Sequence, residues 1–410
     1  MAKQVVKRKQ ILSFKHMGLS EKTLATLDRI GYEKPSPVQA GVIPLAMQEY
    51  DVIGQARTGT GKTAAFAIPV LEQLDLSVKK AKPQALILTP TRELAVQVEN
   101  EFRRLSDKER VSCVCLYGGK PIKGQINQLE RGAHVVVGTP GRVIDHLNRG
   151  TLNIDQLWFV VLDEADRMLD IGFRPDIERI LRRCPKERQT LLLSATLPDP
   201  IRRLAKQYMY RPKVINFSKG KVAAQTIEQY YMTVPGVMKY DILVKLLQRE
   251  TPDQAIIFCR TKLGTERLYR KVLKSGIFDG VGTLHGDMSQ SARDRMMRDF
   301  RSSTVKYLFA TDVVGRGIDI TNVSHIINFD IPSLSEDYVH RVGRTGRMGK
   351  QGVAFSFVAP EQSGEQKQIE KLINMELKPD PMQEEIDELR ETIEPKLPPA
   401  KPKKRYRRAL

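Results

Sequence analysis

The chain has 410 residues, 41% of them hydrophobic, and a formal net charge of +19 at pH 7. That length and apolar fraction suit two or three soluble domains, two preferred, and exclude a wholly disordered chain; no uninterrupted apolar run is long enough to span a membrane. The basic excess favours a polyanionic partner, nucleic acid first, over the alternative of a merely well-solvated surface.

The N-terminal segment MAKQVVKRKQILSF is basic but has no apolar stretch followed by a small-residue cleavage site, and it is neither long nor Ser-rich enough for a transit peptide. Cys113, Cys115, Cys184 and Cys259 form no CxxC pair, so reduced core thiols and a cytoplasmic compartment are expected. The strand-like DVIGQA at 51–56 leads into ARTGTGKT at 56–63 and then into the helix-like AAFAIPVLEQL. This is a G-x-x-x-x-G-K-T phosphate loop with Ala56 in the first glycine position. Gly59 and Gly61 permit the tight backbone angles that turn amides toward phosphate oxygens, and the following helix N-terminus adds a favourable dipole. Lys62 is expected to reach the terminal phosphates of a nucleotide and Thr63 to hold Mg²⁺ through its hydroxyl. The alternative is a structural turn.

Buried strands are predicted in ALILTP, SCVCLYGG, HVVVGTP, FVVLDEAD and TLLLSAT, with helical segments between them. In ELAVQVENEFRRLS, for example, Leu94, Val98, Phe102 and Leu105 fall on one helical face. This alternation argues for a parallel sheet covered by helices. At the end of FVVL come Asp163, Glu164 and Asp166, three carboxylates whose burial requires cations or donors. Asp163 is expected to face Mg²⁺, partly through water, and Glu164 to orient or deprotonate an attacking water; helix capping is the alternative for either acid.

The pattern pauses at FSKGKVAAQTIEQ, residues 217–229, where a linker is expected, and restarts in AIIFCRT, VGTLHGDM, KYLFATD, HIINFDIP and GVAFSFVA. The expected organisation is therefore a first domain over residues 1–216, a linker over 217–229, a second α/β domain over 230–378, and an acidic helix followed by a basic, disordered tail over 379–410. The tail reads as a nonspecific nucleic-acid tether, with a solubilising end as the alternative, and removing residues 396–410 is expected to weaken nucleic-acid binding mainly at low salt.

DEAD at 163–166, SAT at 194–196 and HRVGRTGR at 340–347 together resemble the DEAD-box ATP-dependent RNA helicases of helicase superfamily 2, with the motifs in the family's order from about Phe14 to Val358. The resemblance implies two tandem RecA-like domains. In the segment GYEKPSPVQ it implies that Gln39 hydrogen-bonds adenine and Tyr32 packs near the base, with Phe14 upstream and Thr58, Gly59, Thr60 and Gly61 around the phosphates; a helix cap is the plain alternative for Gln39. Asp166, Ser194, Thr196 and His340 are implied to couple hydrolysis to RNA. Arg344 and Arg347 match the arginines that stabilise the transferring phosphoryl group, which requires the domains to close; Asp319 would bind the ribose and Gly317 keep its loop compact. RNA contacts are implied at Pro90, Thr91, Arg92, Gly118, Gly119, Thr139, Gly141 and Arg142 in the first domain. In the second they are implied at Arg260, His285, Gly286, Thr311 and Arg316. Hydroxyls, amides and guanidinium groups of this kind hold phosphates without reading bases, and ribose hydroxyls favour RNA over DNA. Gly315 stands where the family has Ala, and Thr60 where Ser is common.

The expected activity is RNA-stimulated ATP hydrolysis coupled to local, non-processive duplex opening or ribonucleoprotein remodelling by a monomer. The expected ligands are ATP, Mg²⁺ and RNA, with protein partners, if any, at the C-terminal region. An ATP-locked RNA clamp with little turnover is the alternative.

Overall fold

The computed structural model describes residues 13–56, 59–77, 82–106, 111–217, 227–312, 323–346 and 351–393. They form two compact units, one built mainly from the chain before Ile227 and the other mainly from the chain after it.

The first unit holds a seven-stranded sheet: β1 (Val52–Gln55), β2 (Ala85–Leu88), β3 (Cys113–Leu116), β4 (Val135–Gly138), β5 (Phe159–Asp163), β6 (Gln189–Ser194) and β7 (Lys213–Asn216). Its order is β3-β4-β2-β5-β6-β1-β7 and every pairing is parallel. β2, β4, β5 and β6 are buried at every residue because helices cover both faces. The period of two along each strand divides the core. Ile87, Val137, Val161 and Leu193 meet the helices Pro37–Ala46, Lys62–Glu72 and Arg92–Ser106 on one face. Leu88, Val136, Val160 and Leu192 meet Pro140–Asn148, Arg174–Arg183 and Asp199–Tyr208 on the other. The predicted stripe Leu94, Val98, Phe102 and Leu105 is the buried face of its helix.

The second unit repeats the plan with β8 (Ile227–Thr233), β9 (Ala255–Cys259), β10 (Val281–Leu284), β11 (Tyr307–Thr311), β12 (His325–Asn328), β13 (Gly352–Val358) and β14 (Lys378–Pro379). Their order is β10-β11-β9-β12-β13-β8-β14, again parallel throughout.

Three strands are absent from the sequence expectation: β7, β8 and β14. None is a continuous apolar run; β7 exposes Val214, and β8 (IEQYYMT) mixes polar and apolar residues without a regular period. β8 opens at Ile227, inside the segment expected to be linker. The acidic helix Gln383–Ile393 is not separate from the second unit. Ile386 is fully buried in that unit's core, the Gln383 side chain accepts the Thr233 N–H at 2.7 Å, and both Asp380 oxygens take bonds from the Arg249 guanidinium at 2.7 and 2.8 Å. The basic tail lies outside the described residues. No helix among the described residues is long and apolar enough to cross a membrane.

Candidate active site

In the first unit the sheet order rearranges the chain's motifs into a line. The phosphate loop follows β1, SAT ends β6 and the acidic motif ends β5; next along the same carboxyl edge come the ends of β2, β4 and β3, which carry PTREL, TPGR and the Gly118–Gly119 pair. Nucleotide-type residues thus occupy one half of the edge and RNA-type residues the other, with Asp166 and SAT near the middle. Open α/β sheets place ligands at this carboxyl edge.

Gly61 precedes the helix Lys62–Glu72 in the left-handed region, with φ 86°. A Cβ there would also lie 2.6 Å from Gln39 Nε2, so both backbone and space demand glycine. Lys62 Nζ is buried and has no hydrogen-bond partner among the described residues. Close by, burial pushes the Asp163 carboxyl up to about 7, opposed chiefly by the Lys62 ammonium. An ammonium without an acceptor beside a carboxyl short of positive charge is complementary to an incoming phosphate with a divalent cation. The residues therefore fit a magnesium nucleotide.

Glu164 turns the chain from β5 into the helix Ala165–Asp170 with φ 51°, a left-handed conformation that costs a non-glycine residue about 1–3 kcal/mol. Its side chain makes no capping bond; Arg167 Nη1 donates to Oε2 at 3.2 Å, and Arg167 is itself 1% exposed. Asp166 is satisfied by donors. Oδ2 accepts from the Ala195 and Thr196 amides at 3.1 and 2.8 Å and from the Thr196 hydroxyl at 3.0 Å, while Ser194 Oγ accepts the Asp166 N–H at 3.2 Å. The three acids are thus held in different ways: Asp163 by the Glu164 N–H at 3.0 Å and the charge of Lys62, Glu164 by Arg167, and Asp166 by SAT. Arg167 was missed from the sequence, although its i+3 spacing from Glu164 on a short helix is a readable signal.

Gln39 serves in the helix cap that was its alternative reading. Its Oε1 accepts the Ser36 N–H at 2.9 Å and its own N–H reaches Ser36 Oγ at 3.4 Å, while Nε2 donates to the Gly61 carbonyl at 3.3 Å. The side chain therefore ties this helix N-terminus to the phosphate loop. Tyr32 donates to Glu101 Oε1 at 2.6 Å and lies under the Arg104 guanidinium; burial and the Glu101 carboxylate push its hydroxyl pKa up, against the charge of Arg104. Phe14 is a core residue packed edge-on against Tyr32.

On the RNA-type half, Pro90 is buried and Thr91 Oγ1 accepts the Leu94 N–H at 3.3 Å, capping the helix that starts at Arg92. The Arg92 guanidinium lies against Gly118 and Gly119; Gly119 has φ 84°, and a Cβ on it would overlap that guanidinium. Thr139 occupies the cap position of Pro140–Asn148 without a side-chain capping bond, and a Cβ on Gly141 would meet no other atom. Pro140 has no N–H, and the Arg142 and Val143 amides donate to the Thr139 carbonyl at 3.1 Å, which leaves the Gly141 N–H of the first turn to meet an anion. Arg142 turns toward its own unit: both terminal nitrogens donate to the Lys120 carbonyl at 3.3 Å and Nη1 to Gln125 Oε1 at 3.3 Å. Gln125, unpredicted and buried, donates to the Tyr117 carbonyl at 3.0 Å, which leaves its Oε1 facing His146 Nε2 at 3.2 Å. An amide oxygen only accepts, so that nitrogen carries the proton; the Thr151 hydroxyl lies 2.8 Å from Nδ1 and 3.2 Å from the His146 carbonyl.

In the second unit Arg260, His285, Gly286 and Thr311 fall at the carboxyl ends of the adjacent strands β9, β10 and β11. His285 Nε2 lies 3.3 Å from Glu266; its Nδ1 and Thr311 Oγ1 are buried without a hydrogen-bond partner among the described residues. Arg260 donates its backbone N–H to Asp330, whose other oxygen takes Lys239 Nζ at 2.8 Å. His340 lies on the helix Ser335–Val342 and its carbonyl accepts from Arg344 Nε at 3.3 Å. Arg341, also unpredicted, is 2% exposed and grips both Asp312 oxygens at 2.5 and 2.7 Å. Thr58, Gly315, Arg316, Gly317, Asp319 and Arg347 lie outside the described residues.

Residues 36–204 match the DEAD/DEAH box helicase family and residues 238–349 the helicase conserved C-terminal domain. The chain is 48% identical over 360 residues to the DEAD-box ATP-dependent RNA helicase CshA of Geobacillus kaustophilus, spanning 88% of this chain and 76% of that protein. It is 44% identical over 367 residues to the ATP-dependent RNA helicase CshA of Listeria monocytogenes, spanning 89% and 70%. Among solved structures, S. cerevisiae Dbp5 bound to RNA and ADP BeF3 has a TM-score of 0.82 at 33% identity, covering 93% of this chain and 99% of that one. With relatives this similar over most of its length, the chain belongs to the DEAD-box family of ATP-dependent RNA helicases.

Proposed function

We propose that the protein hydrolyses ATP under stimulation by RNA and uses the cycle to open short RNA duplexes locally or to remodel ribonucleoproteins, without long-range translocation. The observation that carries this reading is the buried, unpartnered Lys62 ammonium beside Asp163, tied through Asp166 to SAT and continued along one sheet edge by the PTREL, TPGR and glycine-pair loops.

The loop amides with Lys62 hold the terminal phosphates. Thr63 and Asp163 would hold Mg²⁺, which when bound neutralises charge on the phosphate oxygens. Glu164, fixed by Arg167, orients the attacking water and takes its proton. Arg344 and Arg347 supply guanidinium charge to the transferring phosphoryl group, an effect worth about 10³–10⁵-fold in comparable enzymes. Gln39, with Tyr32 and Phe14, selects adenine, and Gly317 and Asp319 take the ribose. Pro90, Thr91, Arg92, Gly118, Gly119, Thr139, Gly141 and Arg142 form the RNA grip of the first unit, and Arg260, His285, Gly286, Thr311 and Arg316 that of the second. Asp166, Ser194, Thr196 and His340 relay RNA binding to the phosphate chemistry. The relatives' names and the RNA in the Dbp5 structure support this reading.

The test is strand separation of matched duplexes. Short RNA duplexes open with ATP, long ones open poorly, DNA duplexes are poor substrates, and Lys62→Ala abolishes ATP-driven opening. Equal opening of short and long duplexes, or opening by Lys62→Ala, would overturn the reading.

A further inference from the structure

One segment of the first unit is strongly basic. Between Arg174 and Lys213 the chain carries eleven lysines and arginines against four acids. Much of this segment forms the helices Arg174–Arg183 and Asp199–Tyr208, whose apolar sides, Ile177, Ile180, Leu181, Ile201 and Leu204, are buried against the sheet. The basic side chains therefore point outward. Arg179, Lys186, Arg203 and Lys206 are exposed and have no ion pair or hydrogen bond with a described residue. The surface is continuous. Arg182 Nε donates to Tyr208 Oη at 3.2 Å, joining the two helices, and Arg183 Nη2 donates to Asn148 Oδ1 at 3.0 Å, joining the first of them to Pro140–Asn148. That last helix carries Thr139, Gly141 and Arg142 at its opposite end, about 13 Å away at 1.5 Å per residue.

We propose that this face is a second RNA surface, which takes the phosphate backbone of RNA flanking the strand held at the Thr139–Arg142 grip. A protein partner would be expected to meet an apolar centre ringed by charge; here the centre is basic, and exposed apolar residues such as Tyr210 and Val214 lie past the second helix. A lipid surface is disfavoured because the apolar sides of both helices are buried in the core. Unpartnered arginines and lysines spread over two helices suit an extended chain of phosphates and read no sequence.

The surface rests on the RNA grip proposed above, so the experiment separates the two. Two RNAs are used: a single strand just long enough for the grip, and the same strand with a single-stranded flank. The full chain is compared with an Arg179→Glu/Arg203→Glu/Lys206→Glu variant. On the short RNA the variant is expected to match the original chain in affinity and in saturated ATP turnover. On the flanked RNA its plot of log affinity against log salt should be shallower by about 2, from about 0.7 for each of three lost phosphate contacts. A DNA flank on the RNA strand should serve as well as an RNA flank. Equal slopes and affinities on the flanked RNA, with short-RNA binding intact, would overturn the second surface alone. Tighter binding of polyglutamate than of the flank would also overturn it, in favour of an acidic protein. Failure of the original chain to bind the short RNA would sink the function itself.

Discussion

The Gln125 amide joins two parts of the candidate RNA grip. It donates to the carbonyl of Tyr117, next to the glycine pair, accepts from Arg142 of TPGR, and orients His146. Gln125→Leu would leave a buried carbonyl and a buried ring N–H unpaired, each costing about 1–3 kcal/mol. We expect a lower unfolding midpoint and weaker RNA binding with nucleotide affinity unchanged; unaltered RNA binding would show that the link has no part in the grip. Gly119→Ala is predicted to act more locally, because its Cβ displaces the Arg92 guanidinium and strains a φ of 84°. RNA affinity should fall while ATP affinity holds, and equal losses of both would contradict this placement. Residues in motifs of fixed spacing, such as Lys62, Asp163, Glu164 and Gln39, could be singled out from the sequence as candidates. Gln125 and Arg341 were not, because their partners are distant in the chain: Arg341 finds Asp312 29 residues away and Gln125 finds His146 21 residues away.

Buried parallel strands were read from the sequence because both faces of ALIL, VVVG and TLLLS are covered, leaving a continuous apolar run. β7, β8 and β14 escaped because strands at or near a sheet edge keep polar residues. The helix Gln383–Ile393 was misplaced for a similar reason: its acids dominate its composition, yet Met382, Ile386 and Leu389 form a narrow apolar stripe that docks on the second core. Ile386→Ala should therefore destabilise the second unit by about 2–5 kcal/mol, the range for emptying a fully buried isoleucine site. Asp380→Ala, which releases Arg249, should lower stability by a smaller amount because the arginine is partly exposed. Denaturant unfolding checks both, and an unchanged midpoint for Ile386→Ala would show that the helix is not part of the cooperative unit.

At the scale of the whole molecule, two sheets of the same plan carry different chemistry. The first bears a phosphate loop, an acidic strand end and RNA-type loops along one edge; the second bears Arg260, His285 and Thr311 at neighbouring strand ends and Arg344 just past a helix. The central claim is that Glu164, held in a left-handed turn by Arg167, performs the proton chemistry of an RNA-stimulated ATPase. Its most direct test is the ATP turnover of the full chain and of Glu164→Gln, each with and without saturating RNA. The account predicts strong RNA stimulation of the original chain, and no turnover by the variant although it still binds ATP and RNA. Normal RNA-stimulated turnover by Glu164→Gln would contradict it.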